Sequence, residues 1–121
     1  MNYNMGVGNI GSNLYMCVVM ECESRMIVGF GFSSKDTEKF RMGVCKEAGL
    51  DSMPPTSRLI SAFFASLKAE KMNLYKYVSN TERKESASNY IQFYNEVRPH
   101  ASLDYKTPRE VYVANMKKTM S

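Results

Sequence analysis

The sequence predicts a mixed α/β (α+β) domain in which an N-terminal antiparallel β-hairpin is followed by helices. Three observations carry this. Two β-branched and aromatic runs, at 14–20 and 26–32, flank a short polar segment. From residue 33 onward apolar residues recur at helical spacing, and hydroxyl caps at Ser79 and Thr107 open further helical runs. At 121 residues, 44% apolar and 23% charged, the chain is long enough to bury one core and too mixed to be collagen-like or low-complexity.

The first run, Leu14-Tyr15-Met16-Cys17-Val18-Val19-Met20, suits a buried strand, and Glu21 to Arg25 is polar enough for the turn after it. Met26 to Phe32 reads as the return strand. Its Gly29 and Gly31 would let another element approach the backbone closely on one face. Ser33 with Asp36 resembles a helix start, and Phe40, Val44 and Ala48 continue the helix until Gly49. Residues 49–58, with Pro54-Pro55, break all periodicity. Leu59, Phe63, Phe64, Leu67 and Leu74 predict an amphipathic helix to about Lys76. Ser79 and Glu82 form a capping box for the next helix, which carries Ala87, Tyr90, Ile91 and Tyr94 on one stripe. Thr107-Pro108-Arg109-Glu110 places a hydroxyl cap, a first-turn proline and a glutamate ahead of a last helix to about Lys118. The expected order is β-β-α-break-α-α-α. Gly6, Gly8 and Gly11 superficially suggest a phosphate loop, but no lysine follows them and no strand is evident before them.

No apolar run is long enough to span a membrane and the first residues lack a signal-peptide layout, so a cytoplasmic location and no membrane partner are expected. Cys17, Cys22 and Cys45 are odd in number, lack a close Cys-x-x-Cys pair and have one histidine to help them; packed, reduced thiols are expected rather than zinc or a disulfide framework. The net charge is +4. Six bases balance six acids up to residue 60, whereas ten bases face six acids beyond it, so the whole excess lies in the second half. That asymmetry is compatible with a polyanionic partner and equally with ordinary solubility.

Phe63-Phe64-Ala65-Ser66-Leu67-Lys68-Ala69-Glu70, then Tyr90 through His100 (YIQFYNEVRPH), Leu103 and Thr107-Pro108-Arg109-Glu110, resemble the C-terminal part of an insertion-sequence transposase with a retroviral-integrase-like core. Leu14-Tyr15 through Val28-Gly29 and Lys35-Asp36-Thr37-Glu38 are similar to the hairpin and helix of the same family. The resemblance implies an incomplete ribonuclease-H-like fold. Residues 1–121 are expected to form a single partial integrase-core domain: hairpin and first helix at 7–48, a break at 49–58, and a C-terminal helical part at 59–118.

The resemblance further implies a DDE site in which two aspartates and a glutamate hold two divalent metals, usually Mg²⁺, for phosphoryl transfer. The family glutamate position is Ser61 here, and Glu70, nine residues on, falls about 180° away on the helix. The segment that should carry the second aspartate is too short: only 23 residues separate Thr37 from Ser61, where the family has two further strands and a helix. Asp51 lies in the break with no strand to present it. The first aspartate belongs about ten residues before Leu14, where Asn2 and Asn4 are the only polar candidates, and amides are weak Mg²⁺ ligands without carboxylates beside them. No catalytic residue, no metal ligand and no cofactor are therefore expected.

What remains is a set of DNA-contact candidates. Lys68 lies seven residues beyond Ser61, within about 20° of it on the helix, on the face that the resemblance turns toward DNA. Lys71 and Lys76 continue the basic edge, with surface charge as the plainer reading. Arg98 and His100 could contact DNA backbone or instead tie their connection to neighbouring carbonyls or to Glu96. Tyr90, Phe93 and Tyr94 could stack on bases, but their helical spacing favours the core. DNA, and a full-length transposase, are the partners expected.

Overall fold

The computed structural model describes residues 1–120. It is a mixed α/β structure: a three-stranded antiparallel sheet followed by four helices, consistent with a partial ribonuclease-H-like fold. The strands are β1 (Tyr3–Gly11), β2 (Leu14–Glu21) and β3 (Ile27–Ser33), in the order β1-β2-β3. The helices are α1 (Glu38–Glu47), α2 (Arg58–Leu67), α3 (Asn80–Glu96) and α4 (Pro108–Met120).

β2 and β3 form the expected hairpin, and β1 is an addition to it. Three glycines lower the strand propensity of β1, yet two of them are what lets it sit under a helix. A Cβ on Gly6 would lie 2.5 Å from Ile60 Cγ2, and one on Gly8 would lie 2.7 Å from the Phe64 ring, so α2 rests directly on the β1 backbone. Gly29 and Gly31 serve α1 in the same way. A Cβ there would meet Ala48 at 2.8 Å and Val44 at 2.9 Å, the close approach expected from the sequence.

The sheet is therefore covered on both faces, and alternation along β2 divides its side chains between two cores. Met16, Val18 and Met20 join Ile60, Phe63, Phe64, Leu67, Tyr90, Ile91 and Tyr94 under α2 and α3. Cys17 and Val19 join Met5, Val44 and Cys45 under α1. A strand covered on both faces must be apolar at every position, which is why 14–20 reads as a continuous hydrophobic run. The three cysteines are unpaired, and burial pushes the Cys17 thiol up to about 12.

The helix boundaries follow local chemistry. Thr37, rather than Ser33, caps α1, its hydroxyl accepting from the Phe40 N–H at 3.1 Å; Ser33 instead accepts from Lys35 N–H, and Asp36 is held by Arg41 at 2.6 and 2.8 Å. Gly49, at φ +87°, ends the helix in the left-handed conformation that glycine adopts without strain. Ser79 caps α3 as expected, and at the start of α4 Glu110 folds back to Thr107.

The helix expected at 59–76 is shorter. α2 ends at Leu67 and a single π-helical turn, Lys68–Met72, follows, closed by Asn73 N–H to Lys68 C=O at 2.8 Å. That widened turn takes Leu74 off the core stripe, and its side chain is exposed.

Between α1 and α2 the chain forms no regular element. It passes the outer side of β1, where Met5 N–H donates to Pro55 C=O at 3.1 Å. At the opposite edge of the sheet, Asn95 of α3 pairs with β3 like a strand: its Nδ2 donates to Ile27 C=O at 3.0 Å and its Oδ1 accepts from Ile27 N–H at 2.9 Å.

Candidate nucleic-acid interface

The first residues of β1 and the start of α2 form one polar cluster. β1 presents Asn4 on the face that receives α2, where it is buried; Asn2 is exposed at the chain start. The Asn4 Oδ1 accepts from the Ser57 hydroxyl and from Cys22 Sγ at 3.2 Å, and its Nδ2 donates to Tyr3 C=O at 3.0 Å. Ser57 is the N-cap of α2 and also accepts from Leu59 N–H at 3.1 Å. Ser61 lies one turn further along and is exposed.

These groups are amides, hydroxyls and a thiol. A hard divalent cation needs carboxylate oxygens, and the Asn4 oxygen is already occupied by two donors. The donor set does not fit Mg²⁺. Asp51 is exposed in a bend between α1 and α2, Glu70 is engaged elsewhere, and among the described residues no three His, Cys, Asp or Glu side chains converge on a point suited to a metal.

The basic candidates separate clearly. Lys68, at the end of α2, is exposed and its ammonium is in no ion pair among the described residues. Lys71 is half-buried, with its Nζ 5.5 Å from the centre of the Tyr75 ring, a cation–π geometry that leaves the charge accessible. Tyr75 itself is exposed, as are Leu74, Lys76 and Val78. Lys68, Lys71 and Lys76 therefore flank a loop whose aromatic and aliphatic side chains face solvent.

Arg98 does not point to the surface as an isolated charge. It forms a two-pronged pair with Glu70, Nε to Oε1 at 3.0 Å and Nη2 to Oε2 at 2.8 Å, which fastens the connection after α3 to the π turn after α2. The acid paired with Arg98 is Glu70 rather than Glu96, which lies 3.6 Å from Arg109.

His100 packs beside Tyr94 at the start of the loop before α4. Its ring stands edge-on to Tyr94 at 4.8 Å between centres, and its backbone N–H donates to Lys106 C=O at 3.1 Å to close the loop before α4. Burial, then the nearby Arg98 and Arg25 charges, hold its pKa below the usual 6.5, so it is neutral near pH 7. Among the described residues its buried Nε2 has no hydrogen-bond partner, nor does the Nε of Arg25.

Arg25 is the residue that sequence reasoning missed. It stands in the β2–β3 turn at φ +66°, donates its N–H to Glu21 C=O at 2.8 Å, and its charge acts on both Tyr94 and His100. Tyr94 lies 69 and His100 75 residues further along the chain, and no local pattern announces them. Tyr90 and Tyr94 are core, their hydroxyl pKa values raised chiefly by burial, Tyr94 to about 12. Phe93 departs from that expectation: it is 41% exposed, because α3 turns it away from the stripe that Tyr90 and Tyr94 occupy.

Fold and site thus define a mixed α/β domain with a neutral polar cluster where β1 meets α2 and a lysine-bearing flank after α2. Residues 52–108, somewhat under half of the chain, match the family model described as integrase core domain, which supports an integrase or transposase relationship. No curated protein and no solved structure matches the chain. No helix among the described residues is long and apolar enough to cross a membrane.

Proposed function

We propose that this chain is a truncated, internally deleted remnant of an insertion-sequence transposase core that binds DNA through the flank after α2 and does not cut it. The observation that carries the reading is the Asn4–Ser57 cluster. At the junction where the resemblance calls for carboxylates, Asn4 and Ser61 are neutral, and the Asn4 oxygen is saturated by Ser57 and Cys22. Phosphoryl transfer needs charge at that place to hold metal and activate the attacking oxygen. Binding needs only accessible cations, which Lys68 and Lys71 provide.

Lys68 and Lys71 would serve as phosphate contacts, with Lys76 beside them, whereas Arg98 and His100 support the segment from behind. The test is a fluorescence-anisotropy titration with duplex DNA at low and moderate salt, with a Mg²⁺-dependent nicking assay alongside. Binding that weakens with salt and drops in Lys68→Ala, without nicking, is expected. Absence of binding at low salt, or metal-dependent strand cleavage abolished by Asp51→Ala, would overturn the reading.

A further inference from the structure

The π-helical turn Lys68–Met72 lies against α3, and Arg98, just beyond that helix, fastens it there through Glu70. Single π turns of this kind recur at functional sites. Between the turn and the helix is a pocket of about 280 Å³, lined by Glu70 and Lys71 from the turn and by Asn89, Tyr90 and Phe93 from α3. Its volume is slightly below that of pockets for drug-sized molecules, which leaves room for one ring system.

Phe93 makes this wall unusual. Asn89 and Phe93 are four residues apart and so share one face of α3, and Phe93 is 41% exposed where Tyr90 and Tyr94 are buried. Tyr90 stands beside it, ring centres 5.9 Å apart and planes at 42°. The Phe93 ring is thus braced from within while the rest of it meets solvent, a flat apolar surface that needs little further ordering to bind. Asn89 is exposed, and its amide, with both a donor and an acceptor, has no partner among the described residues. The rim is positive: Arg98 neutralises Glu70, which leaves the charge of Lys71, its ammonium 5.5 Å from the centre of the Tyr75 ring.

A flat aromatic surface, an amide at its edge and a cation at the rim match the face of a nucleobase, its hydrogen-bonding edge and its phosphate. We propose, resting on the DNA-binding reading above, that this pocket receives one unpaired base of a DNA strand, stacked on Phe93 with its edge toward Asn89 and its phosphate on Lys71. A base inside a duplex cannot enter, because its neighbours cover both faces; it must be single-stranded or turned out of the helix. Every base has a stacking face, so the pocket tolerates any sequence apart from the preference that Asn89 adds.

The experiment is fluorescence anisotropy on the full chain at low salt with a single-stranded DNA, an abasic strand with the same number of phosphates, and a duplex. The base-bearing strand should bind at least about fivefold more tightly than the abasic one, the effect of one stacked base. Phe93→Ala should erase that difference and leave abasic binding as it was, whereas Phe93→Trp should keep the difference. Lys71→Ala should weaken both strands alike. A lone 2-aminopurine set among abasic sites should lose fluorescence on binding the wild type but not on binding Phe93→Ala, a readout independent of affinity. Equal binding of the two strands by the wild type, a difference that survives in Phe93→Ala, or tighter binding of the same sequence as RNA would overturn this inference, while salt-dependent duplex binding through Lys68 would still stand. Failure of every DNA to bind would instead sink the DNA-binding reading, and this inference with it.

Discussion

The Ser57 hydroxyl donates to the side-chain oxygen of Asn4, joining the N-cap of α2 to the start of strand β1, 53 residues earlier in the chain. One serine therefore does two jobs, accepting from Leu59 N–H to start the helix and fixing where that helix begins on the sheet. Replacing Ser57 with alanine removes both. A loss of about 1–2 kcal/mol is expected from the cap alone, and Asn4→Ala should cost about 1–3 kcal/mol by stranding the Ser57 hydroxyl. Because the two residues share one bond, the double variant should lose less than the sum, which a denaturant-unfolding cycle measures.

Asn95 is the side chain that finishes the β3 edge. Asn95→Ala leaves the Ile27 N–H and C=O without their partners in a buried place, for an expected loss of about 2–3 kcal/mol. Asn95→Asp keeps the acceptor and loses the donor, and should also place a charge against Ile27 C=O. Thermal unfolding should therefore rank Asn95→Asp with or below Asn95→Ala rather than near the wild type.

The Arg98–Glu70 pair is partly solvent-exposed, so its removal should alter stability by under about 1 kcal/mol. Its effect on binding should be larger in kind. Glu70→Ala removes a carboxylate beside the lysine flank and releases the Arg98 guanidinium, so DNA affinity should rise. The plot of log K against log salt should steepen by up to about 0.9, the value of one additional phosphate contact on a duplex. Unchanged affinity and slope would mean that DNA does not approach this side.

His100 sets a pH dependence. Its pKa is held below 6.5 in the folded chain by burial, Arg98 and Arg25. The unfolded chain then binds the proton more readily, so this contribution to stability is complete above about pH 6.5 and is lost as pH falls toward the depressed folded value. His100→Phe, which keeps an aromatic ring beside Tyr94 and cannot titrate, should flatten the fall in melting temperature between pH 7 and pH 5. An equally steep fall in the variant would assign the effect to other groups.

The sequence was most informative where one physical signal acts alone. The β2–β3 hairpin, the caps at Ser79 and Thr107, and the close-approach role of Gly29 and Gly31 could be read because alternation, capping and missing side chains are local properties. β1 escaped notice because its glycines answer to Ile60 and Phe64, more than fifty residues away. The early end of α2 was hidden because a π turn keeps the same residue types as a regular helix. At the site, the neutral side chains of Asn4 and Ser61 could be named from the sequence, but the partner of Arg98 could not: Glu70 lies 28 residues back, and Glu96 was the nearer acid. Arg25 shows the same limit, since only the folded chain sets a hairpin turn beside the loop before α4.

The Asn80 amide donates to Ser12 C=O at 2.7 Å, and the Asn95 amide pairs with Ile27; both links span 68 residues of sequence. The helix α3 that carries them, about 22 Å from one to the other at 1.5 Å per residue, thus acts as a crossbar laid from one end of the β1–β2–β3 meander to the other. Whichever end attaches first brings the other within reach, so the chain meets the entropy of closing a long loop once rather than twice. Folding of the sheet and docking of α3 become one event, and a cut anywhere between 28 and 79 that lets the halves separate would disperse both.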